Sequence, residues 1–231
     1  MLSAILVAAG SSRRMGFDKL FAEVAGRSVI GHSILAFERT QSIDEIIVVT
    51  REDRRSAVEG IVHSEKLRKV HAIVRGGEHR HDSVRAGLDK VGAAAKYVAV
   101  HDAARCLIEA EQIERVFEKC RKAGAATLAE PIRDTMKRAD SDLWVTDSVD
   151  RHQLFSMQTP QVFERKLLEQ AYRIVAERKL TVTDEVSAVG LLGHKVALVV
   201  NEGFNFKITF PRDLMLAEHL FRERSSENVK T

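Results

Sequence analysis

Near its start the chain reads Ala-Ile-Leu-Val-Ala-Ala-Gly-Ser-Ser-Arg-Arg-Met-Gly-Phe-Asp-Lys, residues 4–19. The apolar run that passes into small residues predicts a buried strand ending in a tight loop. Small residues let the backbone approach a ligand, main-chain N–H groups act as neutral donors, and Arg13, Arg14 and Lys19 supply positive charge. We therefore expect a phosphate-binding loop at the end of the first strand of an α/β fold.

Two better-known phosphate loops do not match this stretch. A Walker loop has four residues between its glycines and then Lys-Ser/Thr, whereas Gly10 and Gly16 are six positions apart and Phe17 follows. A dinucleotide fingerprint would need a second glycine where Ser12 stands. On this loop alone, a solvated turn whose arginines only keep the surface soluble remains an open alternative.

Length and composition indicate the class of protein. With 231 residues, 45% of them hydrophobic, the chain can form one large α/β domain, and we expect residues 1–231 to be that domain. The formal charge of +3 is too small to predict a nucleic-acid or membrane surface. Only two cysteines, Cys106 and Cys120, and no signal-like start predict a reducing, cytoplasmic location. No apolar run approaches the ~20 residues that span a bilayer.

Apolar runs and segments of helical periodicity alternate along the chain. The pattern predicts a doubly wound α/β fold with a mostly parallel central sheet and helices on both faces. Ligands of such sheets bind at the carboxyl ends of the strands. Predicted strands are Ala4–Ala9, Glu45–Thr50, His71–Arg75, Tyr97–His101 and Ala126–Ala129. Predicted helices are Val29–Arg39, Ser56–Glu65, Asp82–Val91, Gln112–Ala123, Arg165–Arg178 and Asp213–Arg224.

The segment Pro131–Gln161 interrupts this alternation. Two short strand-like pieces flank the turn residues Ala139–Asp142, which predicts a β-hairpin arm at about 132–157. An isolated hairpin is only marginally stable in water. The arm, which carries Trp144, is therefore expected to contact another subunit, and a surface excursion without consequence is the alternative.

Further polar patches follow the predicted strands. In Arg75–Ser83, paired glycines permit a close approach, and Asp82 or Ser83 is expected to cap the next helix. In His101–Arg105, an acid suited to a ribose hydroxyl or to the water shell of magnesium precedes an arginine suited to phosphate. An internal Asp102–Arg105 ion pair is the alternative there.

The last two patches lie in the C-terminal half. Arg133–Arg138 and Asp150-Arg151 belong to the arm, and Thr181–Glu185 and Asn205–Thr209 follow it. Taken singly, each is also explained by a solvated surface or by a helix cap at Thr183 or Asp184. Their joint occurrence with the loop favours a binding site.

Together these motifs resemble the 2-C-methyl-D-erythritol 4-phosphate cytidylyltransferase family. The resemblance covers nearly the whole chain in order and implies a Rossmann-like nucleotidyltransferase that forms a homodimer through its arm. It implies transfer of CMP from CTP to methylerythritol phosphate in the non-mevalonate isoprenoid route, with Mg²⁺ or another divalent cation. The motifs are Ala8–Gly10 with Arg13–Gly16 and Lys19, Gly76-Gly77, Arg80, Asp82–Val84, His101–Arg105, Arg133–Lys137, Asp150-Arg151, Gln158–Gln161, Thr183–Glu185 and Asn205–Thr209.

The resemblance also implies site residues, position by position. The catalytic set is Arg14, Lys19 and Lys207. The nucleotide-binding set is Ala8, Ala9, Gly10, Arg13, Gly77, Ser83, Asp102 and Ala103. The set that binds the sugar phosphate is Arg105, Thr183 and, from the partner's arm, Thr135 and Arg151. The metal is expected to be held mainly by CTP phosphates, with Asp102 as one candidate ligand.

Four positions depart from the family pattern, namely Ser12, Asp18, Leu20 and Cys106, where many relatives have glycine, proline, glutamine and proline. Of these, Asp18 is expected to weaken the positive field of Lys19 beside it. Loss of proline at Cys106 is expected to loosen the placement of Arg105, because proline fixes φ.

The chemistry itself needs no general base. The second pKa of a phosphate monoester is ~6, so the attacking phosphate is mostly a dianion at pH 7. Fixed cations around the transition state are the main requirement.

Two other functions stay open at this point. A ribitol-5-phosphate cytidylyltransferase would share the loop and the dimer. The residue types at Arg133–Lys137 and His101–Arg105, however, favour methylerythritol phosphate. A non-catalytic nucleotide- or RNA-binding module would use the basic loop but would not need Thr183, Lys207 and the arm.

Overall fold

The structure, a computed structural model, describes residues 1–10 and 15–228. Arg13 and Arg14 of the predicted site, together with Ser12, lie outside the described residues. The strands are β1 Leu2–Val7, β2 Glu23–Val24, β3 Arg27–Ser28, β4 Ile43–Thr50, β5 Val70–Arg75, β6 Tyr97–Asp102, β7 Ala125–Pro131, β8 Met136–Ala139, β9 Val145–Val149, β10 Phe155–Glu164 and β11 Ala197–Val200. The helices are α1 Val29–Arg39, α2 Arg55–Ser64, α3 Arg80–Leu88, α4 Ala110–Ala123, α5 Arg165–Glu177, α6 Glu185–Gly190 and α7 Pro211–Asn228.

Seven strands form the central sheet in the order β11-β7-β10-β6-β1-β4-β5. Neighbouring strands are parallel except at β10, which runs antiparallel to both β6 and β7. The prediction of a mostly parallel sheet is therefore confirmed, and the single reversed strand lies in the middle of it.

Helices cover both faces of the sheet, as the apolar runs predicted. In β1, Leu2, Ala4 and Leu6 belong to one core with residues of α1, α2, α4 and α7. The intervening Ile5 belongs to a second core with residues of α3, α5 and α6. A strand buried on both faces needs apolar residues at nearly every position, because successive side chains point to opposite faces.

Helix α4 shows how local sequence sets an element. Ile113, Val116 and Cys120, spaced three and four positions apart, are fully buried on one face of the helix. The helix starts two residues earlier than expected because the side chain of Gln112 accepts a hydrogen bond from the backbone N–H of Glu109, at 2.9 Å, and caps the first turn. It ends at Gly124, whose φ of +79° is readily adopted only by glycine.

Several elements were not predicted, and β10 is the most important of them. Its buried residues include Gln158, Thr159 and Gln161, whose polar side chains hide the strand from a search for apolar runs. Its first residues, Phe155–Met157, pair with β7 in the central sheet rather than belonging to the arm. The short α6 and the strands β2, β3 and β11 also escaped the periodicity analysis.

The hairpin arm is confirmed as β8 and β9, which form their own two-stranded antiparallel sheet. Its turn presents Leu143 and Trp144 to solvent, with 86% and 74% of their surfaces exposed. No helix within residues 1–10 and 15–228 has both the length and the apolar character needed to cross a bilayer.

Candidate active site

A cleft of about 200 Å³ opens at the carboxyl ends of β1 and β6. It is the position at which open α/β sheets bind ligands. Eight predicted site residues line this cleft: Ala8, Ala9, Gly10, Lys19, Gly77, Ser83, Asp102 and Lys207. They come from five separate parts of the chain, and the fold brings them together.

Glycine is required where the β5–α3 connection passes the cleft. A Cβ at Gly76 would lie 2.5 Å from Cβ of Ala9, and one at Gly77 would lie 2.3 Å from Cβ of Asp82. Both distances are far below van der Waals contact. The two glycines thus allow this segment to approach the end of β1, as expected from the sequence.

The start of α3 lies at this cleft, which His79, Arg80 and Ser83 help to line. The helix begins at Arg80, and Asp82 accepts a hydrogen bond from the N–H of His79 at 3.1 Å. Asp82 therefore caps the start of α3 as expected, through its side chain, while His79 occupies the N-cap position itself. Ser83 lies one turn further on, where its N–H and its hydroxyl each donate to the carbonyl of His79 at 3.2 Å.

Asp102 is the electrostatic centre of the cleft. Its carboxylate lies 2.9 Å from Nζ of Lys207, 3.2 Å from Nε of Arg80 and 3.9 Å from Nε of Arg105. Burial alone would raise the pKa of Asp102, but these three cations outweigh it and hold the pKa well below its usual range. Asp102 is therefore ionised at neutral pH, and the Asp102–Arg105 ion pair considered from the sequence is present.

Arg80 connects Asp102 to a second buried carboxylate. It donates to both oxygens of Glu185, at 2.6 and 3.0 Å, while the Tyr172 hydroxyl donates to the same group at 2.8 Å. Burial would lower the pKa of Arg80, but Glu185 and Asp102 reverse this effect and raise it. Burial and the neighbouring Glu185 raise the pKa of Tyr172, so its hydroxyl keeps its proton.

Sequence reasoning missed this extension of the site. Arg80 stood in a quoted motif without an assigned role, and Glu185 was considered only as a neighbour of a helix cap. Tyr172 has the spacing of a core residue on α5, and nothing in the sequence distinguishes it from one. Asp184, by contrast, caps α6 as predicted, accepting from the N–H of Ser187 at 3.0 Å.

The segment that carries Lys207 has no regular secondary structure and is held by side chains. Asn205 donates to the carbonyl of Thr159 at 2.8 Å and to Oε1 of Gln158 at 3.2 Å. Its own carbonyl accepts from Nη1 of Arg105 at 2.8 Å. Lys19 reaches the same segment, where Nζ donates to the carbonyl of Ile208 at 2.5 Å. Both lysines of the cleft are thereby fixed relative to each other.

A buried histidine supports the turn after β6. The Thr159 hydroxyl accepts from the N–H of Asp102 at 3.1 Å and donates to Nδ1 of His101 at 3.0 Å. Nε2 of His101 then donates to the carbonyl of Arg105 at 3.2 Å. Burial lowers the pKa of His101 to about 3, so the ring is neutral with its proton on Nε2. His101 orients Asp102 and Arg105 rather than acting as a base.

Five predicted residues are placed away from the cleft lining. Ala103 is fully buried, and its N–H donates to the carbonyl of Val7 at 3.1 Å, so that Ala104 lines the cleft instead. Arg105 lies behind Asp102, to which it is paired. Thr183 is exposed in the loop before α6, and Thr135 and Arg151 are exposed on the arm.

Metal-ligand chemistry in the cleft rests on Asp102. Among the residues described, no group of three or more His, Cys, Asp or Glu side chains is arranged to hold a metal ion. One carboxylate that is already paired with three cations does not hold Mg²⁺ by itself, so the remaining ligands of the ion would be nucleotide oxygens and water. Cys106 and Cys120 are free buried thiols whose pKa is raised by burial to about 12, so neither is a thiolate ligand.

Comparisons with known proteins agree with one another. The family model for 2-C-methyl-D-erythritol 4-phosphate cytidylyltransferase matches residues 2–223. An enzyme of that name from Caldanaerobacter subterraneus subsp. tengcongensis is 39% identical over 96% of this chain and 99% of its own. The chloroplastic enzyme of Oryza sativa subsp. japonica is 35% identical over 96% of this chain and 75% of its own. The crystal structure of 4-diphosphocytidyl-2C-methyl-D-erythritol synthase from Anaerococcus prevotii superposes with a TM-score of 0.84, at 30% identity and 96% coverage of both chains.

Proposed function

Because the chain belongs to the 2-C-methyl-D-erythritol 4-phosphate cytidylyltransferase family, we infer that it transfers CMP from CTP to 2-C-methyl-D-erythritol 4-phosphate. The products are 4-diphosphocytidyl-2-C-methyl-D-erythritol and pyrophosphate, and the reaction belongs to the non-mevalonate isoprenoid pathway. The observation that carries this inference is the family match over residues 2–223, together with a cleft at the strand ends whose lining includes two lysines. The protein is a nucleotidyltransferase.

The reaction is a displacement at the α-phosphorus of CTP. An oxygen of the acceptor phosphate forms the new P–O bond, and the bond to pyrophosphate breaks. Since the acceptor is already a dianion near pH 7, no side chain has to remove a proton. This agrees with the burial of His101, whose neutral ring is held in hydrogen bonds with Thr159 and Arg105.

The protein's main contribution is a fixed positive field. Lys19 and Lys207 line the cleft, and we assign them, with Arg14, to stabilising charge on the α-phosphate and the leaving pyrophosphate. Lys207 also contacts Asp102, with Nζ 2.9 Å from Oδ2. An incoming phosphate therefore shares Lys207 with Asp102, and Arg80 and Arg105 remain to balance the carboxylate.

The nucleotide is assigned to the side of the cleft formed by the end of β1 and the start of α3. Ala8, Ala9, Gly10, Gly77 and Ser83 offer backbone groups and a hydroxyl at close range, with Arg13 as a phosphate contact. Asp102 is assigned to the ribose and, with CTP oxygens, to Mg²⁺, and Ala103 supports this turn from within the core. When bound, Mg²⁺ would neutralise part of the triphosphate charge.

The acceptor is assigned to the side of Lys207. Arg105 and Thr183 would bind its phosphate or hydroxyl groups, and Thr135 and Arg151 would reach the cleft of a partner subunit. Exposure of all three of Thr135, Arg151 and Thr183 is compatible with contacts made only on assembly. We accordingly propose a homodimer formed through the β8–β9 arm, with residues 1–231 as one nucleotidyltransferase domain that acts in the cytoplasm.

A pyrophosphate-release assay tests the function. The protein is incubated with CTP and Mg²⁺ and with either methylerythritol phosphate or ribitol 5-phosphate. Release with the first acceptor alone is the expected result. Release with ribitol 5-phosphate alone would assign the alternative acceptor, and no release with either, combined with salt-sensitive RNA binding, would favour the non-catalytic module.

A further inference from the structure

Arg54 is a buried arginine that contacts both the end of β1, at Ala8 and Gly10, and Asp18, the residue before Lys19. It is the last residue of a 3₁₀ turn, Glu52–Arg54, that follows β4, and only 7% of its surface is exposed. Nη1 donates to the carbonyl of Gly10 at 2.8 Å and approaches that of Ala8 at 3.3 Å. Two of the cleft-lining residues at the end of β1 are therefore held by one guanidinium group.

The same guanidinium forms an ion pair with Asp18. Nε of Arg54 contacts Oδ2 of Asp18, while Oδ1 of Asp18 accepts from the N–H of Leu20 at 3.2 Å. Since Leu20 and Lys19 also line the cleft, Arg54 and Asp18 together bridge Gly10 to Lys19 through side chains. Arginine suits this position because its planar group donates in several fixed directions at once.

The charge of Asp18 gives this bridge its importance. A carboxylate next to Lys19 would repel the triphosphate of CTP and offset the field of the lysine. With 29% of its side chain exposed, Asp18 is only partly screened by water. The buried Arg54 supplies the balancing charge, so the effect expected from Asp18 in the sequence is countered by a residue that the sequence did not single out.

We propose that Arg54 is a positioning residue for CTP, which neutralises Asp18 and fixes the backbone of Ala8–Gly10 against the segment that carries Lys19. The inference rests on the proposed function, because it concerns the nucleotide side of that cleft. Arg54 touches no reacting atom in this arrangement and acts through Asp18 and the loop carbonyls.

The test compares Arg54→Met with a matched control. Arg55→Met removes the same charge from the adjacent residue, which is exposed and pairs with Glu59 at 3.0 Å, away from the cleft. The Kd of CTP in the presence of Mg²⁺ is measured by calorimetry without acceptor. The KM of CTP, the KM of the acceptor and kcat are measured in the pyrophosphate assay. We expect Arg54→Met to weaken CTP binding about tenfold, with the KM of the acceptor within about twofold, and Arg55→Met to match the unmodified protein.

The second variant separates charge from folding. Asp18→Asn in the Arg54→Met background removes the carboxylate whose ion pair with Arg54 is lost, and CTP affinity should return to within about threefold of the original. A merely structural role for Arg54 predicts instead a lowered melting temperature, unchanged CTP affinity in the folded fraction and no rescue by Asp18→Asn. Either unchanged affinity in Arg54→Met or absence of rescue overturns the proposal.

Arg54→Lys provides the comparison if Arg54→Met does not fold. A single ammonium group cannot contact both Asp18 and the Gly10 carbonyl with the same geometry, so CTP affinity should fall and be raised again by Asp18→Asn. Failure of the proposed function is distinguishable, because the unmodified protein would then release no pyrophosphate from CTP. Failure of the inference leaves that activity intact and removes only the Arg54 effect.

Discussion

Asp102 shows how one side chain can organise a site without carrying out chemistry. Three cations converge on its carboxylate, which leaves the cleft with a surplus of positive charge when Glu185 is counted with them. This surplus of positive charge indicates that the cleft binds a polyanionic substrate. The same surplus disfavours a metal ion bound to Asp102 alone, which agrees with Mg²⁺ arriving on the nucleotide.

Lys19→Ala tests the role of transition-state charge. Loss of one preorganised cation typically lowers kcat by ~10²–10³. Folding should change little, since Lys19 is only half-buried. Steady-state kinetics and thermal melting measure both effects, with Lys119→Ala on the exposed face of α4 as control. Turnover that is unchanged while CTP still binds would contradict the assignment.

His101 predicts a pH dependence of stability. Its pKa is lowered by burial to about 3 in the folded protein, against 6.5 for the ordinary imidazole. The unfolded chain therefore takes up a proton as the pH falls below 6.5, whereas the folded protein does so only near 3, and the stabilising effect of the neutral ring is lost across this window.

Linkage gives a loss of about 2 kcal/mol from this residue between pH 7.5 and 5. Urea unfolding at both pH values measures it, and His101→Gln should show a smaller difference between them. Equal pH dependence in the two proteins would show that His101 is not the group responsible.

At the scale of elements, the predictions from sequence depended on apolar periodicity. Helix α1 was predicted with the bounds that the structure has, because its buried stripe and its cap at Ser28 are local. Strand β10 was missed because Gln158, Thr159 and Gln161 are buried by hydrogen bonds to partners far along the chain. A tertiary network of this kind leaves no periodic signal.

The residues of the candidate site also fall into two groups, those that the sequence locates and those that it does not. Residues in loops directly after apolar strands, such as Gly10 and Asp102, could be located from the sequence, because strand ends meet at one edge of a parallel sheet. Arg54, Tyr172 and Glu185 could not, since their importance depends on which distant groups the fold brings to them.

Asn205→Ala tests how the irregular segment before α7 places Lys207. The substitution removes the two donated hydrogen bonds that tie the segment to Thr159 and Gln158 of β10. A shift of about 1 Å at Lys207 is enough to lower kcat ~10²-fold. Steady-state kinetics should show this loss with a smaller change in the KM of CTP.

Glu202→Gln, at an exposed position in the same segment, is the control and should leave kcat unchanged. Wild-type kcat in the folded Asn205→Ala protein would mean that Asn205 does not position Lys207.

At the scale of the whole molecule, the arm carries a run of exposed apolar side chains. Leu143, Trp144 and Val145 are consecutive and 67–86% exposed in the isolated chain. Exposed apolar residues in such a cluster are typical of surfaces that are covered by a partner. The proposed homodimer would cover them.

Trp144→Asp should therefore convert a dimer to a monomer in light scattering coupled to gel filtration. Activity should fall with it, because Thr135 and Arg151 would no longer reach a partner's cleft. Asp142→Ser, in the same turn, is the control that should remain dimeric. A monomeric unmodified protein with full activity would contradict the proposal.

The order of the sheet has a consequence for how the chain acquires its site during synthesis. Strands β6-β1-β4-β5 come from residues 2–102 and strands β11-β7-β10 from residues 125–200, so each half of the sheet is contiguous in sequence. Within the sheet the halves join at a seam between β6 and β10, and Asp102 at the end of β6 contacts Thr159 of β10 and Lys207 of the segment after β11. A nascent chain can pair its first four strands early, yet its active centre is assembled only when the second half has emerged and the seam has closed.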